Sequence, residues 1–286
     1  MNQMKLQSAL EYLMTYGWAI LIIAVVLGAL FGLGFFNSYT FQPKAIAGNC
    51  QVYRPGGPHT TEQINLEGIC NNELPQYVAQ LNGVSGYLNG SRAFAFPLSA
   101  SAWIYPTSYG TSGYEVIMEF DGPNPAGGYY QLALYTNGEV LGYNGYYQIS
   151  FPLTVPLNRW SFIALNITRN GETVYLNGQS ATVQTTEYTT TPADPFWIIG
   201  TQFCCGNTRY FHGYISNVQL YNTSLSANEI NALYTEGIGG VPIDLNNLVG
   251  WWPLNGNAND YSGNQDSGVS NNVIFTTSWV SGYSSP

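Results

Sequence analysis

Basic residues are scarce. The chain has 7 Lys and Arg among 286 residues, against 16 Asp and Glu, so only 8% of it is charged and the net charge is −9. The usual charged share is about 25%. Binding a phosphate backbone needs clustered Lys and Arg, so nucleic acid is excluded as a partner. Histidine is scarcer still: His59 and His212 stand alone, with no metal-ligand spacing or nucleophile beside them, and are read as ordinary surface or core residues. A helical bundle would want more Ala, Glu and Lys. What is present is 45% hydrophobic residues, 15% aromatics and 32 Gly, enough for a real core and suited to a turn-rich β fold. Wholesale disorder is excluded. Asn, Gln, Ser, Thr and the hydroxyls of 23 Tyr must wet the surface that charge does not.

One segment is not β-like. No charge occurs from Tyr12 to Tyr39, and Trp18 to Phe36 is almost continuously apolar. A helix of this length spans about 30 Å of hydrocarbon. It is long for a secretory signal core and lacks an A-x-A-like cleavage site after it. Lys5 ahead of it places the N-terminus in the cytoplasm and the bulk of the chain outside. Gly28, Gly32 and Gly34 offer small-residue faces for close helix contact. Glu11 lies in the helix leading into this run, where an uncompensated carboxylate is expensive and marks a functional site.

Residues Lys5-Leu6-Gln7-Ser8-Ala9-Leu10-Glu11-Tyr12-Leu13 and the apolar run resemble the class III signal of archaeal type IV pilins. The resemblance implies that a prepilin peptidase cuts between Leu6 and Gln7 and leaves the helix on the mature protein. Leu6 stands where the family more often has Gly. Glu11 would then meet the new α-ammonium of Gln7 on a neighbouring subunit, a buried pair that fixes register in a filament.

Beyond Phe36 the pattern becomes period-two alternation punctuated by Asn-Gly at 82-83, 89-90, 137-138, 144-145, 170-171, 177-178 and 255-256. Asn-Gly is a strong hairpin signal because both residues tolerate positive φ. The alternation predicts antiparallel strands, among them Ser161–Thr168 and Thr173–Leu176. Ser226 with Glu229 three residues on is a capping box, starting a short helix to Tyr234.

Several strings in order resemble a laminin G-like, concanavalin A-like jelly roll: Leu81-Asn82-Gly83-Val84-Ser85-Gly86-Tyr87, Leu98 to Pro106, Arg159 to Leu165, Val174-Tyr175-Leu176-Asn177-Gly178, and Phe211 to Asn222 with Leu225 to Ile230. Leu248 to Asn264 resembles the segment that normally opens such a domain, yet here it closes the chain. The implied fold class is mainly β: an antiparallel two-sheet jelly-roll sandwich, circularly permuted, with a long N-terminal transmembrane or filament helix. The expected organisation is a leader over 1–6, a hydrophobic helix over 7–36, a stalk with a Cys pair over 37–77, and a sandwich over 78–286. Residues 241–286 complete this sandwich or that of a neighbouring subunit.

Cys50, Cys70, Cys204 and Cys205 in an exported chain suggest disulfides. Cys50 with Cys70 would close a loop of about 20 residues, worth roughly 3 kcal/mol. Cys204 and Cys205 either bridge each other or each reach one of the first pair. Asn89, Asn166 and Asn222 head glycosylation sequons. Glycoside hydrolases on this sandwich need two carboxylates roughly 5.5 Å apart. Glu115, Glu119 and Asp121 share one face of a regular strand but lack the third acid, so they are read as solvated charges and the chain as no enzyme. Asp260 with Asn257 and Asn259 is a candidate Ca²⁺ set; the strand position where related domains carry an acid reads Ser216-Asn217. No other cofactor is expected. Tyr109, Tyr129, Tyr130, Tyr143, Tyr146 and Tyr147 are candidate exposed contacts. The expected function is a pilin-like filament subunit displaying a lectin-like head that binds glycans or a cell-surface protein. The alternatives are a membrane-anchored lectin that never polymerises and a polysaccharide hydrolase.

Overall fold

The computed structural model describes residues 16–28, 50–57, 60–66, 74–92, 96–111, 113–120, 130–145, 147–185, 196–203, 209–279 and 281–286, with backbone alone for 50–57 and 60–66. The chain divides into two units, Met1–Lys44 and Ala45–Pro286. In the first, residues 16–28 form helix α1. Its apolar side chains are exposed all round: Trp18, Ile20 and Val25 are each more than 60% accessible. Among the described residues no helix is long and apolar enough to cross a membrane. Leu6, Gln7 and Glu11 lie outside the described residues.

Among the described residues the second unit contains seventeen strands and one helix. β1 (Cys50–Gly57) and β2 (Thr60–Leu66) form an antiparallel hairpin within the segment expected as a stalk. The remaining strands are β3 (Val78–Asn82), β4 (Tyr87–Gly90), β5 (Leu98–Pro106), β6 (Tyr114–Phe120), β7 (Tyr130–Tyr135), β8 (Glu139–Asn144), β9 (Gln148–Thr154), β10 (Ser161–Thr168), β11 (Gly171–Leu176), β12 (Gln179–Gln184), β13 (Trp197–Ile199), β14 (His212–Tyr221), β15 (Leu248–Trp252), β16 (Val269–Asn271) and β17 (Ile274–Thr276). They make two antiparallel sheets. One runs β12-β11-β10-β5-β14-β3-β17 with β15 also on β14; the other runs β16-β4-β13-β6-β7-β8-β9. The result is a mainly β, two-sheet sandwich of jelly-roll type.

The main core fills the space between the sheets with alternate residues of each strand, including Leu98, Ala100, Ala102 and Ile104 of β5 facing Phe120, Leu132, Leu134 and Phe151. The other face of the first sheet is also apolar. Trp103, Trp160, Phe162 and Ala164 are buried there under helix α2 (Ala227–Thr235), through Ile230 and Leu233, and under Ile238, Leu248, Trp251 and Trp279. Burial on both faces explains why nearly every residue of β5 and β10 is buried where the residues of a one-sided sheet would alternate. Ser226 caps α2 with the reciprocal Glu229 bonds that the capping box requires.

The C-terminal segment pairs within its own chain. β15 lies along Val218–Tyr221 of β14, end to end with β3, which takes His212–Ile215. Between the two, β14 bulges at Ser216/Gln219 with Asn217 at φ 50. β16 pairs with β4 and β17 with β3. The Asn-Gly signal marks the turns at 137-138, 144-145 and 177-178, with positive φ at each Gly. At 89-90 it does not: Gly90 ends β4, and a side chain there would strike the Trp197 ring at 2.5 Å. That glycine makes room for an indole.

A chain ending at Ile238 loses β15, β16, β17 and the Trp251 and Trp279 lids. It is expected to be insoluble or to show no cooperative melt; a soluble product with a single sharp thermal transition would overturn this account of the core.

Candidate functional site

Three connections between the sheets meet at one end of the sandwich: the β3–β4 turn at Gly83, the β5–β6 loop, and residues 209–211 leading from β13 to β14. Gly83, Ser108, Gly110, Thr111, Tyr114, Glu115, Arg209, Tyr210 and His212 line a cleft there of about 210 Å³. A smaller hollow of about 100 Å³ beside α2, between Phe162, Tyr175 and Tyr234, has no charged residue among the described residues that line it.

The cleft floor is fixed by backbone hydrogen bonds. Val116 N–H donates to the Arg209 carbonyl, Phe211 N–H to Gly200, Gly83 N–H to Phe211, and Thr107 N–H to His212, all between 2.9 and 3.1 Å. Arg209 lays its guanidinium over the Tyr114 ring, 3.4 Å from the centroid. This is a close cation–π contact. Among the described residues the guanidinium meets no carboxylate.

Among the described residues Glu115 is the one acid lining the cleft. It is 1% exposed, its Oε2 accepts the His212 backbone N–H at 3.2 Å, and its Oε1 has no hydrogen-bond partner. Burial pushes its pKa up to about 8, only partly offset by the His212 bond. At neutral pH the group is therefore mostly a neutral carboxylic acid that can donate as well as accept. Tyr109 beside it has its phenol pushed up by burial and then by Glu115.

Glu115 and Glu119 do not share a face. β6 carries a bulge between Val116 and Met118, so Glu115 stands opposite Leu134, whose side chain is in the core, whereas Glu119 stands opposite Gln131. The extra residue reverses the alternation expected of a regular strand. Glu119 is 1% exposed, and its oxygens accept from the Gln131 amide and the Phe203 N–H. Neither residue is the solvated charge expected from sequence, and this pair has no acid-and-nucleophile geometry. Asp121 lies outside the described residues.

The remaining expected sites are scattered. Tyr130 is fully buried in the core, not exposed, because it begins β7 facing inward. Tyr109 is half-buried, donating to the Val155 carbonyl at 2.5 Å; Tyr143 is half-buried and Tyr147 exposed. Asn166 is 6% exposed, with its amide donating to the Leu225 carbonyl at 2.8 Å and accepting from Ser99. A glycan there would break that bond, so Asn166 is a structural amide in the folded chain. Asn89 and Asn222 are half-buried. The side chain of Cys50, all of Cys70, Cys204 and Cys205, and also His59, Tyr129 and Tyr146 lie outside the described residues. His212 is exposed on the cleft rim.

Asp260 is the centre of a loop network. Its Oδ1 accepts the Trp251 and Ser262 N–H groups, and its Oδ2 accepts the Ser262 hydroxyl and the Asp266 N–H, all between 2.8 and 3.0 Å. A carboxylate has about four lone-pair sites, and here each meets a protein donor. Asn257 accepts from Asn259 N–H. Among the described residues no group of three or more His, Cys, Asp or Glu could hold a metal.

The sequence matches the concanavalin A-like lectin/glucanases superfamily over residues 82–231, just over half of the chain, and the chain belongs to that family. Among solved structures it is similar to a Bacteroides ovatus protein assigned as carbohydrate-binding, with a TM-score of 0.56 and 15% identity, covering 76% of this chain and 66% of that one. It is also similar to the heptameric SAP-like pentraxin of Limulus polyphemus, with a TM-score of 0.51 and 16% identity, covering 70% of this chain and 94% of that one. The chain thus spans just under two thirds of the Bacteroides protein. No curated protein matches the sequence.

The buried acids set the pH response. Burial raises Glu115 and Glu172 to about 8, Glu236 to about 7 and Asp266 to about 6. Glu172 sits between the sheets with no partner on either oxygen, and a side chain on Gly142 would come within 2.6 Å of it. An unfolded glutamate ionises near 4.5, so between about 4.5 and 8 the unfolded chain holds fewer protons than the folded one. Stability from these groups is complete below 4.5 and lost as pH rises through the folded values, by about 1.4 kcal/mol per pH unit and group at most. Thermal melts are expected to show the midpoint rising as pH falls from 8 to 5. Glu172→Gln should flatten that slope; a midpoint that falls over the same range contradicts the assignment.

Proposed function

We propose that this chain is a glycan-binding surface module, with the Glu115–Arg209 cleft as its binding site. The observation that carries the reading is a concave site lined by an open guanidinium, tyrosine rings and several hydroxyls, with the buried Glu115 carboxyl in its wall. Such sites combine an apolar body with a few convergent polar groups. The likeness to a Bacteroides ovatus protein assigned as carbohydrate-binding supports it. Binding is favoured over hydrolysis because the bulge in β6 puts Glu115 and Glu119 on opposite faces of their sheet. On an array of neutral and acidic glycans the full-length protein is expected to retain at least one class. Thr111→Trp, at an exposed position on the cleft wall, should lower that retention about tenfold or more with the melt unchanged. Retention of no glycan, or of the same glycans equally by the variant, overturns the reading.

The exposed apolar surface of α1 favours a second element: display through the N-terminal helix, in lipid and then in a pilin-like filament. A helix apolar all round needs an apolar surrounding. Cleavage before Gln7 would create the amine that Glu11 of a neighbour meets. Intact-mass spectrometry of the purified protein is expected to give a chain beginning at Gln7, and Glu11→Gln to abolish filaments seen by electron microscopy. A chain beginning at Met1 would remove the pilin element, leaving a membrane-anchored lectin.

A further inference from the structure

We infer that the ligand of this cleft is an acidic saccharide, whose carboxylate the Arg209 guanidinium receives. The inference rests on the glycan-binding reading and adds the charge of the ligand to it.

The first ground is Arg209 itself. It is one of only 7 basic residues in the chain, it is half-buried, and one face of its guanidinium is against the Tyr114 ring. A ring contact leaves the in-plane N–H donors of a guanidinium unsatisfied, and these five donors form a planar fork suited to a carboxylate. A neutral ligand closing over the cleft would strip water from that cation and return no charge, which is unfavourable. An anion compensates it through charge-assisted hydrogen bonds.

The second ground is Glu115. An ionised carboxylate in the same cleft would repel an acidic ligand. Burial favours the neutral acid here, so Glu115 sets no full negative charge beside the ligand while its Oε2 keeps the His212 N–H. It is also the only acid among the described residues that line the cleft; the other polar groups are the hydroxyls of Ser108, Thr111, Tyr114 and Tyr210 and the ring of His212. Hydroxyls match a polyhydroxylated ring, and one fork matches one carboxylate.

The third ground is preorganisation. The Arg209 carbonyl is tied to Val116 N–H at 3.0 Å, and Phe211 two residues on is tied to Gly200 and Gly83. The guanidinium is therefore presented from a fixed backbone and not from a free loop, which lowers the ordering cost of binding.

The test uses the purified full-length protein and a panel of hexuronate- and nonulosonate-terminated oligosaccharides, each paired with its methyl ester. Titration calorimetry at pH 6 is expected to show at least one acid bound about tenfold or more tightly than its ester. Arg209→Gln should weaken binding of the acid by a similar factor and leave the ester unchanged, whereas Arg209→Lys, which keeps charge without the fork, should fall between. Equal weakening of acid and ester by Arg209→Gln would mean a merely structural role and overturn the inference. Equal affinity of acid and ester, or binding of neutral glycans alone, would overturn it while leaving the glycan reading intact. Binding of no glycan at all would defeat both.

Discussion

The outer face of the first sheet cannot be left in water. Trp103, Trp160, Phe162 and Ala164 stand on it, and each large side chain is worth about 1.5–3 kcal/mol when buried. Exposing the aromatics together would remove an amount comparable with the whole stability of a domain. The cover is α2, residues 238–248 and the tail through Tyr283, whose ring meets Trp103 edge-on at 5.5 Å and whose hydroxyl accepts the Ile238 N–H. The Trp160 indole donates to the Trp279 carbonyl. The C-terminal segment is thus both lid and strand, and Trp251 and Trp252 show how it serves both. As neighbours on β15 they point to opposite faces, one into the outer cluster and the other into the main core.

Holding those two indoles falls to a loop of polar residues. Asp260 ties the Trp251 N–H to Ser262 and Asp266, the Asp266 carbonyl accepts the Trp252 indole N–H, and the Asp266 carboxylate accepts the Trp197 indole N–H. Trp197 and Trp252 then pack at 4.3 Å across the core, and a side chain on Gly90 or Gly268 would strike the Trp197 ring. A carboxylate used this way stabilises by satisfying backbone donors that would otherwise be buried without partners. The same residues in sequence, an acid among Asn and Ser, read equally well as a cation loop. Only the direction of the donors separates the two.

Local chemistry was legible where one residue decides the local shape. β10 occupies Ser161–Thr168 as its periodicity predicts, the capping box forms at Ser226 and Glu229, and Asn177-Gly178 turns the chain with both residues at positive φ. It failed where a third element intervened. The bulge in β6 arises from pairing with β7 and leaves no mark in the alternation of Glu115, Ile117 and Glu119. Asn166 looks like an exposed sequon until β5 and the approach to α2 close over it. The cleft was the least legible of all, because its residues come from positions 83, 108–115 and 209–212 and no periodicity links them. The one available signal was an isolated Arg in a chain almost without basic residues.

That cleft depends on the packing of the two sheets, not on either alone. Glu115 belongs to β6 of one sheet, and the N–H that holds it belongs to His212 of β14 in the other. Residues 209–212 cross between the sheets and bond to β6, to the end of β13, to the β3–β4 turn and to the β5–β6 loop. Any shift of one sheet on the other would move the acid relative to the guanidinium. Packed cores resist such shifts because they are dense and bistable rather than soft. The lid that the C-terminal segment places on the far face of the first sheet therefore supports the site indirectly. It holds β14 in place, β14 holds His212, and His212 holds the acid.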